Sequence, residues 1–191
     1  MNKTTKILII IVAIAAIVAL VAVIVVNSKP KTNLAQIKSS KDLSALVNEI
    51  YKGLDIEMPN VQTEEVDITD SYRVEYATGL DSSDDIEYLV VSEPLMSSQA
   101  YSLVLAKVKD GVDANEVAQK MNENINLAKW ICVSAEKAYT TSSGNVVFLV
   151  MASEDIAKPI YEKFKSLAGT IAKENERTEA EPELPPTPIV Y

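Results

Sequence analysis

A chain of 191 residues with a net charge of −9, a single cysteine and no histidine excludes a good deal at once. Ser-His-Asp and Cys-His catalysis and the usual zinc sites need histidine, and one cysteine closes no internal disulfide, so the fold must rest on its core. Residues 32–169 hold 12 Lys or Arg against 22 Asp or Glu, the opposite of the basic footprint that nucleic-acid binding requires.

After a short flank at residues 1–6, residues 7–26 are an unbroken run of Ile, Val, Leu and Ala. As a helix this run would be roughly 30 Å long, enough to cross a hydrocarbon core. Its β-branched content does not prevent that, because in lipid every backbone group must pair within its own segment. The alternative, a buried core helix, rarely runs so long without a polar face. The run is also longer than a signal-peptide core, no small-x-small site follows it in "VIVVNSKP", and no cysteine directly follows it. An uncleaved transmembrane signal anchor is therefore expected. Lys3 and Lys6 precede the run, and Lys29, Lys31, Lys38 and Lys41 follow it. The charge count is near balance, but large domains translocate largely regardless of charge. The expected topology is a single pass in the cell membrane with the soluble domain extracytoplasmic. An acidic domain is repelled by an anionic bilayer and should stand off it.

Residues 27–39 read as a polar stalk, residues 40–169 as a soluble domain and residues 170–191 as a tail. The domain opens with a helix whose stripe is Leu43, Leu46, Val47, Ile50, Tyr51 and Leu54, started by Ser39 and Asp42 with Gly53 near its end. "DIEMPNVQTEEVDITD" has no clear period and reads as a loop. "TDSYRVEYATGLD" reads as a short helix with Asp70 as cap and Gly79 as stop; the rival is a strand centred on Val74. Two strand-like runs follow, "IEYLVVSEP" and "AYSLVLAKVKDG". "DANEVAQKMNENINLAKWI" is a helix capped by Asp113 and Glu116, with Val117, Met121, Ile125 and Ala128 facing inward. "EKAYTTSSGNVVFLVMAS" is a second hairpin turning at Ser142, Ser143 and Gly144. Its second strand is apolar on both alternations, which places it centrally. "SEDIAKPIYEKFKSLAG" is a helix capped by Ser153 and stopped by Gly169; Pro159 is awkward inside it, and regular helix is expected only from there. Pro182, Pro185, Pro186 and Pro188 give the tail polyproline character and an expectation of disorder. A solvated tail and a ligand for an aromatic groove are the two readings of it.

Few residues offer chemistry. Cys132 lies in "KWICVSAEK" with no base to form thiolate, and a buried inert thiol is expected. "SSQAYSLVLAK" has no Ser-x-x-Lys spacing, and a strand would part Ser98 from Lys107 by roughly 30 Å. Asp81, Asp84, Asp85 and Glu87 cluster, but without the spacing and glycine of an EF-hand, so a solvated turn explains them as well as calcium does. With five scattered glycines there is no phosphate loop. A pair of carboxylates, as in glycoside hydrolysis, is the enzymatic reading left, and only spatial separation identifies one.

The stretch "DSSDDIEYLVVSEPLMSSQAYSLVLAKVKDGVDANEVAQKMNENI" resembles the bacterial family called domain of unknown function 4358. The shared order is a strand, a Pro-x-Met turn, an alanine-led strand ending in Lys-x-Lys-Asp-Gly, and a long helix. "GNVVFLVMASEDIAKPIYEKF" is similar to that family's closing strand and helix, so the resemblance spans Leu43 to Leu167. It implies a Firmicutes lipoprotein or membrane-anchored extracytoplasmic protein. The chain departs from the lipoprotein members in having no lipobox cysteine. The family supplies no catalytic residues to carry over.

The expectation is an α+β protein. An N-terminal transmembrane helix precedes a two-layer domain with a mainly antiparallel sheet, a β-β-α-β-β-α core, and helices on one face. Its expected role is non-catalytic binding of a protein or cell-envelope partner, with Pro94, Leu95 and Met96 as the candidate contact. No catalytic residue, metal, cofactor or nucleic acid is expected. The alternative is a cell-envelope hydrolase using paired carboxylates, and a spacer holding a position in a complex is a third reading.

Overall fold

The computed structural model describes residues 34–179. The apolar run at 7–26, most of the stalk and the four tail prolines lie outside those residues. Among the described residues no helix is long and apolar enough to cross a membrane.

The domain is α+β. Helix α1 (Ser40–Tyr51) is followed by strand β1 (Val61–Glu65), helix α2 (Ser71–Thr78), strands β2 (Ile86–Pro94) and β3 (Ser102–Val108), helix α3 (Ala114–Asn124), strands β4 (Lys137–Ser143) and β5 (Val146–Ala152), helix α4 (Glu154–Ala168) and strand β6 (Asn175–Thr178). The six strands form one sheet in the order β1-β2-β3-β5-β4-β6, and every neighbouring pair is antiparallel. The expected β-β-α-β-β-α order is the run from β2 to α4.

The helices do not lie on one face. Leu103 and Leu105 of β3, with Phe148 and Val150 of β5, pack with α1 and α4 through Leu43, Ile50, Ile160 and Phe164. The alternate residues Val104, Ala106, Leu149 and Met151 pack with α2 and α3 through Val74, Ala77, Val117 and Met121. The domain therefore has three layers rather than two. The physical reason was present in "SLVLA" and "VVFLVMA": strands apolar on both alternations need cover on both faces. β5 does sit inside the sheet, between β3 and β4.

Capping explains where most helices begin. Ser39 Oγ accepts from the Asp42 N–H at 3.3 Å, Asp70 from the Arg73 N–H at 3.1 Å, and Asp113 from the Asn115 N–H at 2.9 Å. At α4 the side chain of Ser153 makes no cap bond. Ser153 holds the N-cap position as expected, but the bond comes from the Glu136 carboxylate, which accepts from the Glu154 N–H at 3.0 Å. Helix α4 also runs through Pro159. The bond that Pro159 cannot donate would go to Asp155, which is exposed, so water can satisfy that carbonyl.

Other boundaries move. The stretch read as a loop after α1 contains β1, held by pairing with β2 rather than by any pattern of its own. Leu34 and Ile37, in the stretch read as stalk, are buried. Residues 175–178, read as tail, form β6 on the outer edge of β4. Ser142 and Ser143 belong to β4, leaving Gly144 and Asn145 as the turn.

A hydrogen bond of 2.8 Å joins the hydroxyls of Tyr51 on α1 and Tyr101 before β3. Burial pushes the Tyr51 hydroxyl up to about 12 and the Tyr101 hydroxyl well above its ordinary value. A tyrosine whose folded pKa is raised stabilises the fold up to its unfolded value, near 10, and loses that stabilisation as pH rises toward the folded value. Stability against urea should therefore fall between pH 10 and pH 12, by about 1.4 kcal/mol per unit of raised pKa. The Tyr51→Phe/Tyr101→Phe double variant should show a shallower fall over that range.

Candidate partner-binding surface

Four large apolar or aromatic side chains among the described residues are strongly exposed: Tyr72 at 74 %, Leu95 at 66 %, Met96 at 63 % and Ile131 at 68 %. Backbone geometry gathers three of them. Strand β2 ends at Pro94, and the Leu95 N–H donates to the Asn60 carbonyl at 3.4 Å, fixing the start of the β2–β3 turn. The Ile131 N–H then donates to the Ser97 carbonyl at 3.1 Å, joining that turn to the loop after α3. This loop closes on itself where the Ala135 N–H donates to the Leu127 carbonyl at 2.8 Å. Leu127, Trp130 and Ala135 are buried beneath it, leaving Ile131 and Cys132 outward.

The same loop carries a buried cation. The Lys129 side chain is 2 % exposed and pairs at 2.7 Å with Glu93, itself 24 % exposed. The ammonium also donates to the Tyr76 carbonyl at 3.1 Å and lies 4.3 Å from the centre of the Tyr76 ring. Desolvation pulls the Lys129 pKa down, opposed by the Glu93 charge and hydrogen bond. Ser102 Oγ donates to the same Glu93 oxygen at 2.7 Å and stands 3.4 Å from the Lys129 nitrogen. A Ser-Lys contact is thus present, between residues far apart in the chain. Ser102 is fully buried, so no substrate reaches its oxygen, and the contact serves to satisfy a buried charge.

Two recesses flank the rings of Tyr72 and Tyr76, whose centroids are 6.3 Å apart. One, of about 390 Å³, has Val66, Ala77 and Val91 as its floor and Arg73 and Glu93 at its rim. Both rim charges are already paired, Arg73 with Glu64 and Glu93 with Lys129. What remains open is an apolar floor with an aromatic wall. The other recess, of about 230 Å³, is polar, with Glu75, Asn124 and Asn126.

Helix α3 ends at Asn124, short of the expected extent, because Ile125 turns into extended backbone. Ala128, expected on its buried face, is exposed. Cys132 is exposed rather than buried, at φ 61°, an uncommon region for a residue with a side chain. Ser98 and Lys107, which the sequence places a strand apart, have separate surroundings: Lys107 is paired with Glu87, and Ser98 is exposed in the β2–β3 turn. Asp84 is held by its carbonyl, which accepts from the Lys109 ammonium at 2.6 Å. Among the described residues no group of three or more His, Cys, Asp or Glu is placed to hold a metal. Among the described residues the carboxyl groups of Asp42, Asp67 and Glu174 are displaced downward by hydrogen bonds to the ionised form.

Of the residues singled out from sequence, Leu95 and Met96 stand exposed at this surface, and Pro94 is half-buried at its base. Tyr72, Ile131, Lys129 and Glu93 were not foreseen. The partners that hold the Lys129 ammonium lie 27 to 53 residues away in the chain, so no local pattern marks it as a buried cation. No family model, curated protein or solved structure matches the chain.

Proposed function

We propose that this chain is a single-span, membrane-anchored bacterial surface protein whose acidic domain binds a protein or cell-envelope partner without catalysis. The observation that carries the reading is the gathering of Leu95, Met96 and Ile131 by the hydrogen bond from Ile131 to Ser97. Apolar side chains scattered singly on a surface need no explanation, whereas a contiguous group marks an interaction site. Tyr72 and its apolar recess add an aromatic anchor and a socket, the features that dominate binding energy at interfaces. The 20-residue apolar run at 7–26 supports the anchor. The resemblance to domain of unknown function 4358 supports the extracytoplasmic placement, and we offer that family as the assignment.

Replacing Leu95, Met96 and Ile131 together by serine should abolish capture of the partner held by the wild-type anchored protein in site-directed crosslinking. Thermal stability should change little, since exposed substitutions usually stay within about 0.5 kcal/mol each. Partner capture unchanged by the triple substitution would remove this surface from the proposal. A tag placed after residue 179 should react with a membrane-impermeant reagent in intact cells; a tag reached only after lysis would reverse the topology.

A further inference from the structure

The loop that carries Ile131 is clamped at both ends by β6 and the residue that follows it. At its start, the Arg177 guanidinium of β6 donates to the carbonyls of Asn122 at 2.9 Å and Glu123 at 2.6 Å, and to that of Ile125. These are carbonyls at the end of α3 that have no partner within the helix. At its finish, the Glu179 N–H donates to the Glu136 carbonyl at 3.1 Å, and Ser134 Oγ donates to the Glu179 carboxylate.

The strand that makes these bonds is itself weakly attached. Among the described residues its four residues pair as a strand with β4 alone, Lys137 of β4 adds bonds to Glu176 and Thr178, and only Asn175 of the four is buried. The segment leading into it is held mainly by polar contacts: Glu174 accepts from the Tyr161 hydroxyl at 2.6 Å and from the Lys165 ammonium at 3.0 Å, Ile171 alone packs against the core, and the rest are bonds to β4. Thr141 Oγ1 donates to the Lys173 carbonyl at 3.1 Å, Ser143 Oγ to the Thr170 carbonyl at 2.6 Å, and the Ala172 N–H to the Ser142 carbonyl at 2.8 Å. Water can replace each of these bonds when the segment lifts, because the hydroxyl-rich edge of β4 exposes polar groups to it. A segment with few buried apolar contacts opens at lower free energy than the core. The central strands β3 and β5 have most of their residues buried and are expected to open last.

We propose that β6 is a strap that sets the shape of the partner-binding loop at residues 125–136, with Arg177 as the positioning residue. Release of the strap remodels that surface while the rest of the sheet stays folded. The proposal rests on the binding surface described above, and it is tested without a partner. In the full chain, native-state hydrogen exchange at low urea should show the Ile131 and Ala135 amides opening together with those of β6. That opening should have a weaker urea dependence than the opening of β3 and β5. Arg177→Gln should speed exchange at Ile131 and Ala135 by about tenfold, with β3 and β5 unchanged. Arg177→Lys should restore part of the protection. Loop amides that stay protected while β6 opens would overturn the proposal. So would an Arg177→Gln effect that reaches β3 and β5 equally, which marks a merely structural role. Should Arg177→Gln not fold, the wild-type exchange pattern decides alone. Loss of the strap coupling with partner capture intact would refute the strap and leave the binding surface standing.

Discussion

Gly79→Ala is expected to destabilise the domain by about 2–5 kcal/mol, the combined cost of a left-handed backbone and an overpacked contact. Gly79 ends α2 at φ 74°. A Cβ added there would lie 2.5 Å from the Ile125 nitrogen and 2.6 Å from the Asn124 carbonyl carbon. Both are backbone atoms, so no side-chain rotation relieves the clash. Gly111 separates the two causes. It has φ 87° and nothing within 4 Å of its added Cβ, so Gly111→Ala should cost only about 1 kcal/mol. Urea midpoints of the two variants, with unchanged m-values, measure the difference. Equal costs would mean that the close approach of α2 to the end of α3 does not matter. The result bears on function because Asn124 and Ile125 begin the loop that presents Ile131: Gly79 packs that turn on one side and Arg177 holds its carbonyls.

The second large effect concerns Glu93. Glu93→Ala leaves the Lys129 ammonium buried without its counter-ion, and breaking one side of such a pair costs about 3–5 kcal/mol. The Glu93→Ala/Lys129→Met double variant should recover much of that loss, because the charge that needed a partner is gone. The pH dependence has a definite sign. In Glu93→Ala the lysine keeps the desolvation that lowers its pKa and loses the two contributions from Glu93 that raise it. Between the lowered folded value and the unfolded value near 10.4, the unfolded chain binds more protons than the folded one. Stability of Glu93→Ala should therefore rise with pH across that window, with a slope approaching 1.4 kcal/mol per pH unit, and the double variant should lack the rise. A flat profile for Glu93→Ala would mean that Lys129 finds water or another partner.

Much of the fold was legible because local signals and burial agree. Ser39, Asp70 and Asp113 cap the helices they were expected to cap, and Gly79 stops α2 in the left-handed region. β1 and β6 were not legible, since "VQTEE" and "NERT" carry no apolar alternation and exist as strands only through pairing with β2 and β4. The second layer of helices was misjudged although "VVFLVMA" announced two buried faces. At the surface, Leu95 and Met96 were identified from a proline-led apolar turn. Their neighbour Ile131 was not, because the bond from Ile131 to Ser97 spans 34 residues of chain and leaves no trace in local periodicity. Lys129 and Glu93 are 36 residues apart in sequence, and only the fold brings them together.

The central claim is that the surface of Tyr72, Leu95, Met96 and Ile131 meets a partner. A photoreactive amino acid placed singly at Tyr72, Met96 and Ile131 in the anchored protein in intact cells tests it most directly. Lys120, on the exposed side of α3, serves as the control position. The account predicts that the three surface positions yield one common crosslinked species that Lys120 does not. Equal crosslinking from Lys120, or none from the three positions, would contradict it.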